Sequence, residues 1–391
     1  MISPLAATDL TTPAPAPGVV STSMVELLGN SDLATKIELE DLAHDVLEDF
    51  GYHNSDGSGI DVALIDTGVS PVDGLDGADK VLHGPDLSME AASPEVAYLD
   101  TYGHGTHLAG IIAGERDGHN GIAPGARIVS LKVAGHDGVT TVPQVIAAID
   151  WVVEHRNSNG MNIRVLNLSL GQAGVDDHVG DALSAAVERA WDADIFVVVA
   201  AGNRGDSQGH LDSPAIDPYV MTVGGADSTN GLDEDWQPVT SWSSRGDDNR
   251  NPDLVAPGRS IASYRVPGST ADLAVPEARR SGDLFLGSGT SQSAAVVSGV
   301  AARMLDHFPN MNIDELKETL RRNTETALDF GERAIGTGVI DAEDAYEDPK
   351  SAQPQSHQRA TGNGSGLAAP TGATWSGGTW SGATWSGATW S

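Results

Sequence analysis

The sequence predicts an α/β fold with a central, mostly parallel sheet flanked by helices. Short apolar runs alternate along the chain with helical periods, which is typical of parallel strands joined by crossover helices. One run, "IFVVVAA", has no polar alternation, as expected for a strand buried on both faces. Polar residues follow several runs at their ends, where parallel sheets place their functional groups.

The first 56 residues precede this alternation. Residues 1–20 are rich in Pro, Ala and Thr and predict a flexible leader. An acidic amphipathic helix is predicted over residues 32–50, with Ser31 as its N-cap, because apolar residues recur at steps of three and four. Those apolar residues are Leu39, Leu42, Ala43, Val46, Leu47 and Phe50.

The segment from residue 57 to residue 349 carries the strands and helices of one large domain. Strands are predicted at residues 60–65, 127–133, 163–170, 195–201 and 219–225. Helices are predicted at residues 142–153, 179–192, 293–307 and 312–323. Asn312 and Glu315 form a capping-box pattern that opens the last of these helices.

Residues 350–391 differ in composition from the rest of the chain. They contain no acidic residue and repeat T-W-S-G, with tryptophans at positions 375, 380, 385 and 390. A five-residue period matches neither one face of a helix nor one face of a strand. We interpret the segment as a flexible tail, either displaying aromatic side chains for adhesion or having no binding role.

Composition excludes several classes of function. The formal charge of -33 would repel nucleic acid and anionic membrane surfaces; it serves solubility or attracts cationic substrates. The absence of cysteine excludes disulfides, thiolate metal sites and cysteine nucleophiles. No apolar run is long enough for a membrane span, and the N-terminus shows no signal-peptide pattern.

Four polar residues lie where an acyl-transfer site would need them. Asp66 follows a buried strand, His104 lies in "YGHGTHLAGIIAG", and Ser291 follows Gly-Thr at a helix start. A serine hydroxyl is a poor nucleophile unless a base takes its proton and a carboxylate orients that base. Asn203, on a glycine turn after a strand, would donate its side-chain amide to an oxyanion. Taken singly, each residue is more typical of a turn or a helix cap.

Six sequence blocks in order resemble the signature blocks of the subtilisin-like serine peptidases, the subtilase family S8. They are "VALIDTGV", "GHGTHLAGIIAG", "LNLSLG", "VVAAGN", "LVAPG" and "GTSQSAAVVSG", and the resemblance runs from about residue 57 to residue 346. The family resemblance implies a three-layer subtilisin-like fold and a serine endopeptidase that acts on proteins and peptides through an acyl-enzyme.

The resemblance also assigns roles to single residues. It implies that Asp66 orients His104, that His104 is the general base and then acid, and that Ser291 is the nucleophile. Asn203 matches the side-chain donor of the oxyanion hole. His107 matches a structural neighbour of the base.

Substrate-binding positions follow from the same match. Ser169, Leu170 and Gly171 match a strand that pairs with the substrate backbone, and residues 134 to 138, ending at Gly138, match the facing strand and its turn. Asp212 falls near the floor of the primary specificity pocket when residues are counted back from Pro214. There it would favour a basic substrate residue before the scissile bond, unless it points to solvent.

The chain departs from the family after the nucleophile. Gln292, Ser293, Ala295 and Val296 stand where the family usually has methionine, alanine, proline and histidine. The departure motivates an alternative from another class, a catalytically silent subtilase-fold protein that binds or adheres through its Trp-rich tail.

We predict no required cofactor and no metal site. The loop at residues 114–125 is too short for the family's calcium-binding insertion; Asp73, Asp76 and Asp79 could bind calcium but are more typical of a solvated surface. Protein or peptide substrates and a monomeric state are expected, and the resemblance favours an extracellular location.

Overall fold

The computed structural model describes residues 19–21, 36–47, 55–206, 209–227, 239–325 and 331–362. Of Asp45 and of residues 19–21 it describes only the backbone. The predicted leader before residue 19, the N-cap at Ser31 and the tryptophan repeats lie outside the described residues.

The described chain alternates strands and helices as predicted. The strands are β1 (Val19–Ser21), β2 (Ile37–Glu38), β3 (Asp61–Asp66), β4 (Val81–Asp86), β5 (Arg127–Lys132), β6 (Val139–Thr141), β7 (Ile163–Leu168), β8 (Phe196–Ala200), β9 (Met221–Ala226), β10 (Leu254–Pro257), β11 (Ile261–Tyr264), β12 (Arg279–Arg280), β13 (Leu284–Gly287), β14 (Thr324–Glu325) and β15 (Val339–Ile340). The helices are α1 (Leu39–Leu47), α2 (His104–Ala113), α3 (Val142–His155), α4 (Ala182–Asp192), α5 (Thr270–Ala274), α6 (Thr290–His307), α7 (Ile313–Arg322), α8 (Glu332–Ile335) and α9 (Ala342–Glu347).

A nine-stranded sheet organises the molecule, in the order β14-β15-β10-β9-β8-β7-β3-β5-β4. Every pairing in it is parallel except that of β14 with β15. All residues of β3 and β8 are buried, which explains why their sequences lack polar alternation. The predicted α/β class with a mostly parallel sheet flanked by helices is confirmed.

Helix α6 packs against the sheet and against α2. It lies on β7, β8, β9 and β10, and its residues from Thr290 to Leu305 are all buried. Small side chains make this close approach possible, because alanine, serine and glycine recur along the helix. The next helix, α7, begins with the predicted capping box, in which Asn312 and Glu315 exchange hydrogen bonds.

Within the described residues, the predicted helix near the N-terminus begins later than expected. Ile37 and Glu38 form β2, which pairs parallel with β11 at the edge of a second sheet ordered β12-β13-β11-β2. The edge of β11 supplies hydrogen-bond partners to the backbone before Leu39. That backbone therefore forms a strand, and helix α1 begins only at Leu39. The apolar face of α1, including Leu42, is buried in the main hydrophobic core.

Residues 350–362, which composition assigns to the tail, pack on the domain. The Arg359 guanidinium stacks 3.9 Å from the ring centre of Tyr219 and pairs with Asp192 at 2.7 Å. The Tyr219 hydroxyl donates to the His357 carbonyl at 2.9 Å. The change in composition at residue 350 therefore does not coincide with the end of the packed chain.

Among the described helices, none has the length and apolar character required to cross a bilayer.

Helix α6 buries one amide that lacks hydrogen bonds. The side chain of Gln292 is fully buried, and within the described ranges neither its nitrogen nor its oxygen has a hydrogen-bond partner. An unsatisfied buried polar group destabilises the folded state because it loses its bonds to water.

Replacing Leu42 by alanine should destabilise the protein by about 2–5 kcal/mol, because the cavity left in the core would not fully collapse. The control is Glu40→Ala on the exposed face of the same helix, which should change stability by less than about 0.5 kcal/mol. Urea unfolding of both variants measures the difference; equal effects would show that α1 does not belong to the core.

Replacing Gln292 by methionine should stabilise the protein by about 1–3 kcal/mol, because methionine has a similar length and no unsatisfied polar atoms. The control is Gln353→Met at an exposed position, which should leave the unfolding midpoint nearly unchanged. A destabilised Gln292→Met variant would contradict this expectation.

Candidate active site

A buried hydrogen bond joins the ends of a strand and a helix. Asp66 is the last residue of β3, His104 is the first residue of α2, and Asp66 Oδ1 lies 2.7 Å from His104 Nδ1. The two side chains are only 1% and 0% exposed. Since the carboxylate oxygen accepts, Nδ1 carries the proton and Nε2 presents its lone pair. Within the described part of the chain, this buried Nε2 has no hydrogen-bond partner.

Glycines on both sides of His104 allow this approach. A Cβ at Gly105 would lie 2.2 Å from the Gly68 carbonyl oxygen and 3.2 Å from Asp66 Oδ1. Gly103, at the N-terminus of α2, has a φ of 106°, which L side chains rarely adopt. The "GHG" sequence is therefore required for α2 to begin against the end of β3.

Asp100 and Thr67 support the pair from behind. The Thr67 N–H donates to Asp66 Oδ1 at 2.8 Å, and its hydroxyl lies 2.8 Å from Asp100 Oδ1 and 3.2 Å from Asp66 Oδ1. Asp100 also accepts the N–H groups of Gly103 at 2.6 Å and Thr106 at 2.8 Å. Burial raises the pKa of Asp100, while these donors act in the opposite direction.

Our sequence reasoning missed Asp100. It lies just before the first turn of α2 and caps that turn, so an aspartate at a helix start was the available signal. Through Thr67, it links the beginning of α2 to the carboxylate at the end of β3.

Ser291 and Asn203 lie together at the beginning of α6. Ser291 is the second residue of this helix, and Asn203 Oδ1 accepts the Thr290 N–H at 2.9 Å and lies 3.0 Å from the Thr290 hydroxyl. Because Thr290 takes the oxygen, the NH₂ group of Asn203 points away from it and can donate elsewhere. Gln292 donates its N–H to the Gly289 carbonyl at 3.1 Å. Helix α2, which begins with His104, packs directly on α6, whose second residue is Ser291.

His107 has a separate, structural environment. It is fully buried, and its Nε2 lies 3.1 Å from the Phe285 carbonyl oxygen and 3.3 Å from that of Ile261. Burial, and then the proximity of His104, lowers the pKa of His107 to about 3. His107 is therefore neutral at physiological pH and ties α2 to the second sheet.

The predicted substrate strands are placed as follows. Strand β7 ends at Leu168, and Ser169, Leu170 and Gly171 lie just beyond it; the Ser169 hydroxyl donates to the Ser291 carbonyl at 3.3 Å. The facing segment that ends at Gly138 is a turn, and the strand that follows it is β6. The described strand next to the predicted facing segment is thus β6, at residues 139–141.

An extended segment of this chain already lies on β6. Strand β1 pairs antiparallel with it, with Val20 opposite Thr140. The β6 edge therefore accepts backbone hydrogen bonds from an added strand.

The turn before β6 is held by Glu90. Its Oε1 accepts the His136 N–H at 2.9 Å, and its Oε2 accepts from Lys132 Nζ at 2.6 Å and from the Thr101 hydroxyl at 2.7 Å. Burial acts to raise the pKa of Glu90, but these hydrogen bonds lower it to about 2. Glu90 thus stays ionised and fixes the turn to the end of β5.

Asp212 is paired within the chain. Its side chain is 12% exposed, so it does not point to solvent, and its carboxylate forms an ion pair with Arg204. It does lie beside the predicted substrate strand, because a Cβ at Gly171 would be 3.3 Å from Asp212 Cβ.

The acidic loop after β3 shows no arrangement suited to a cation. Asp73 pairs with Arg116 at 3.6 Å. In the ranges that the structure describes, no group of three or more His, Asp or Glu side chains is placed to hold a metal ion.

Comparison with known proteins places this arrangement in a family. Serine protease AprX of Bacillus subtilis (strain 168) is 34% identical over 299 residues, which cover 74% of this chain and 66% of the relative. Subtilisin-like protease 1 of Arthroderma gypseum (strain ATCC MYA-4604 / CBS 118893) is 32% identical over 261 residues, covering 66% of this chain and 46% of the relative. Subtilisin-like protease 1 of Trichophyton equinum is 32% identical over 257 residues, covering 65% and 43%.

This chain therefore spans 66% of the length of AprX and less than half of the other two relatives. The family match is broader, because residues 57–364 match the subtilase family, Peptidase_S8, and include all four candidate residues of the site. The chain belongs to the subtilase family.

Proposed function

We propose that this chain is a serine endopeptidase that hydrolyses peptide bonds in proteins through an acyl-enzyme intermediate. Ser291 acts as the nucleophile, His104 as general base and then acid, and Asp66 as the carboxylate that orients His104. Asn203 donates to the oxyanion. The names of the relatives, a serine protease and two subtilisin-like proteases, support the reaction class.

In the first half of the reaction, Ser291 Oγ attacks the carbonyl carbon of the scissile peptide bond. Its proton passes to Nε2 of His104, and Asp66 stabilises the imidazolium that forms. The tetrahedral intermediate then collapses, the C–N bond breaks, and His104 gives the proton to the leaving amine. An ester between Ser291 and the substrate acyl group remains.

In the second half, water attacks this ester. His104 Nε2 takes a proton from the water, the new tetrahedral intermediate expels Ser291 Oγ, and the proton returns to that oxygen. The substrate oxygen becomes negative in both intermediates. The N–H of Ser291, at the beginning of α6, and the Asn203 amide would stabilise that charge without reorganising.

The observation that carries the proposal is the buried hydrogen bond between Asp66, at the end of β3, and His104, at the beginning of α2. Helix α2 in turn packs against α6. Asp66 holds Nδ1, and Nε2 has no hydrogen-bond partner in the described residues. An unbonded ring nitrogen alone does not set His104 apart, because Nδ1 of the buried His107 also has no partner in the described residues. What sets His104 apart is the group on its other nitrogen: Nδ1 of His104 meets the buried Asp66 carboxylate, whereas Nε2 of His107 meets backbone carbonyls. The open Nε2 is the atom that the mechanism requires.

Substrate binding by strand addition fits the same arrangement. A substrate segment would lie between β6 and the residues that follow β7, with main-chain hydrogen bonds supplying affinity without reading sequence. The pairing of β1 on β6 supports this mode, and a substrate using that edge would take the place of β1. Extracellular action and a monomeric state stay predictions.

Labelling with a fluorophosphonate probe, together with hydrolysis of a chromogenic peptide, tests the proposal. The parent protein should label and hydrolyse, while Ser291→Ala should not label and should lower kcat by about 10⁶-fold. Ser293→Ala is the control, because the Ser293 hydroxyl donates to the Ala256 carbonyl and should not react. A folded parent protein that neither labels nor hydrolyses would contradict the proposal and favour a silent binding protein.

Removing the Asn203 donor should lower kcat by about 10²- to 10³-fold with little change in KM, because the amide acts on the transition state. Asn203→Ala also removes the acceptor of the Thr290 N–H, whereas Asn203→Asp retains that acceptor and replaces the donor by a negatively charged oxygen. Both variants should therefore lose kcat. Full activity in Asn203→Asp would exclude the donor role, and a rise in KM alone would indicate ground-state binding instead.

A further inference from the structure

Helix α5 lies against the segment that leads into α2. The N–H groups of Thr270 and Ala271, the first two residues of α5, donate to the carbonyls of Thr101 and Tyr102 at 3.0 and 2.9 Å. Two residues after Tyr102 the chain reaches His104, the proposed base. The beginning of α5 therefore holds the backbone from which the base extends.

The Thr270 side chain contacts a second part of the site. Its hydroxyl donates to the His136 carbonyl at 2.7 Å. His136 lies two residues before Gly138, in the turn that leads into β6. Thr270 thus bonds through its N–H to the segment before the base and through its hydroxyl to the turn before β6.

Glu90 joins the same two segments from another side. Its Oε2 accepts the Thr101 hydroxyl at 2.7 Å, and its Oε1 accepts the His136 N–H at 2.9 Å. Thr101, Glu90, His136 and Thr270 therefore form a closed ring of four hydrogen bonds. Because each member bonds to two others, the ring fixes the position of the turn before β6 relative to the segment before the base.

Helix α5 is also anchored independently of the ring. The Asp272 side chain is 3% exposed, and it pairs with Arg265 at 2.5 Å and with Arg279 at 2.7 Å. Burial acts to raise the pKa of Asp272, but these partners lower it to about 2. The ion pairs therefore persist at neutral pH, and loss of the Thr270 hydroxyl would open the ring without releasing α5.

We propose that Thr270 is a positioning residue that aligns a bound peptide with the base His104. The inference rests on the proposed peptidase function, in which the substrate pairs with β6. Opening the ring lets the turn before β6 move relative to the base. Misplacement of a substrate by about 1 Å can lower the reaction rate by about 100-fold, so a small movement of this turn is enough to slow the reaction.

The effect should depend on whether the reacting molecule reaches β6. A peptide that pairs with this edge is located by it, so its scissile bond moves with the turn. A fluorophosphonate probe too small to reach β6 reacts with Ser291 without that alignment. A variant that merely folds poorly would lose both reactions equally.

The experiment compares kcat for a four-residue chromogenic anilide with the rate constant of labelling by the small probe. The variants are Thr270→Val, which replaces the hydroxyl by a methyl group, and Thr270→Ser, which retains it. Thr324→Val is the matched control, because the Thr324 hydroxyl donates to the Thr337 carbonyl at 3.0 Å, outside the ring. Hydrogen exchange over residues 133–142 reports the order of the turn directly, and the extent of labelling sets the concentration of active protein.

In Thr270→Val, kcat for the anilide should fall about 3- to 10-fold, whereas the labelling rate constant should change less than about twofold. Amide exchange over residues 133–142 should become faster, because the turn has lost one of its bonds. Thr270→Ser and Thr324→Val should behave like the parent in all three measurements.

An unchanged ratio of kcat to labelling rate in Thr270→Val, with or without faster exchange, would overturn the inference while leaving the peptidase function intact. A lower ratio without faster exchange would also overturn it, because the effect would then not pass through the turn. A parent that neither labels at Ser291 nor hydrolyses any such anilide would overturn the peptidase function and this inference with it.

Discussion

The hydrogen bond between Asp66 and His104 is the constraint on which the rest of the site depends. It requires β3 to end in the middle of the sheet, between β5 and β7, and α2 to begin close enough to that end for Asp66 Oδ1 and His104 Nδ1 to lie 2.7 Å apart. A fully buried carboxylate is costly unless it accepts hydrogen bonds, and Thr67 and the imidazole donate to its Oδ1. Asp100 then supports Thr67 and the first turn of α2 together. The requirement for buried donors thus extends the site well beyond its reacting atoms.

The second half of the site depends on how α6 begins. The first N–H groups of a helix have no acceptor within it, so each needs an external partner. Asn203 accepts the N–H of Thr290, and Gly289 accepts that of Gln292, which leaves the Ser291 N–H between two that are bonded. The same hydrogen bond that satisfies Thr290 turns the Asn203 amide so that its NH₂ group faces away. In the proposed mechanism, the hydrogen bond that caps the helix therefore also prepares the oxyanion site.

The sequence predicts the central strands well because each carries its own apolar signal over several residues, as in residues 195–201. It does not predict β2, β12, β14 or β15, each two residues long, because their strand character comes only from a partner distant in sequence. Composition likewise does not predict the contacts of Arg359 with Tyr219 and Asp192, because these partners are distant in sequence. In the site, separate motifs predict Asp66, His104, Ser291 and Asn203. The fold brings Asp66 to His104 and Asn203 to the beginning of the Ser291 helix. Asp100 and Glu90 are not predicted, because neither belongs to a motif.

Asp212 shows where sequence reasoning stops. Counting from Pro214 places a carboxylate beside the substrate strand, and the structure puts it near Gly171 as counted. The charge of Asp212, however, is already paired with Arg204. No local pattern links the two residues, because the pairing depends on how the turn after β8 approaches the segment that precedes β9. A position counted along the sequence therefore predicts where a carboxylate lies, whereas the partner of that carboxylate follows only from the side chain that the fold places opposite.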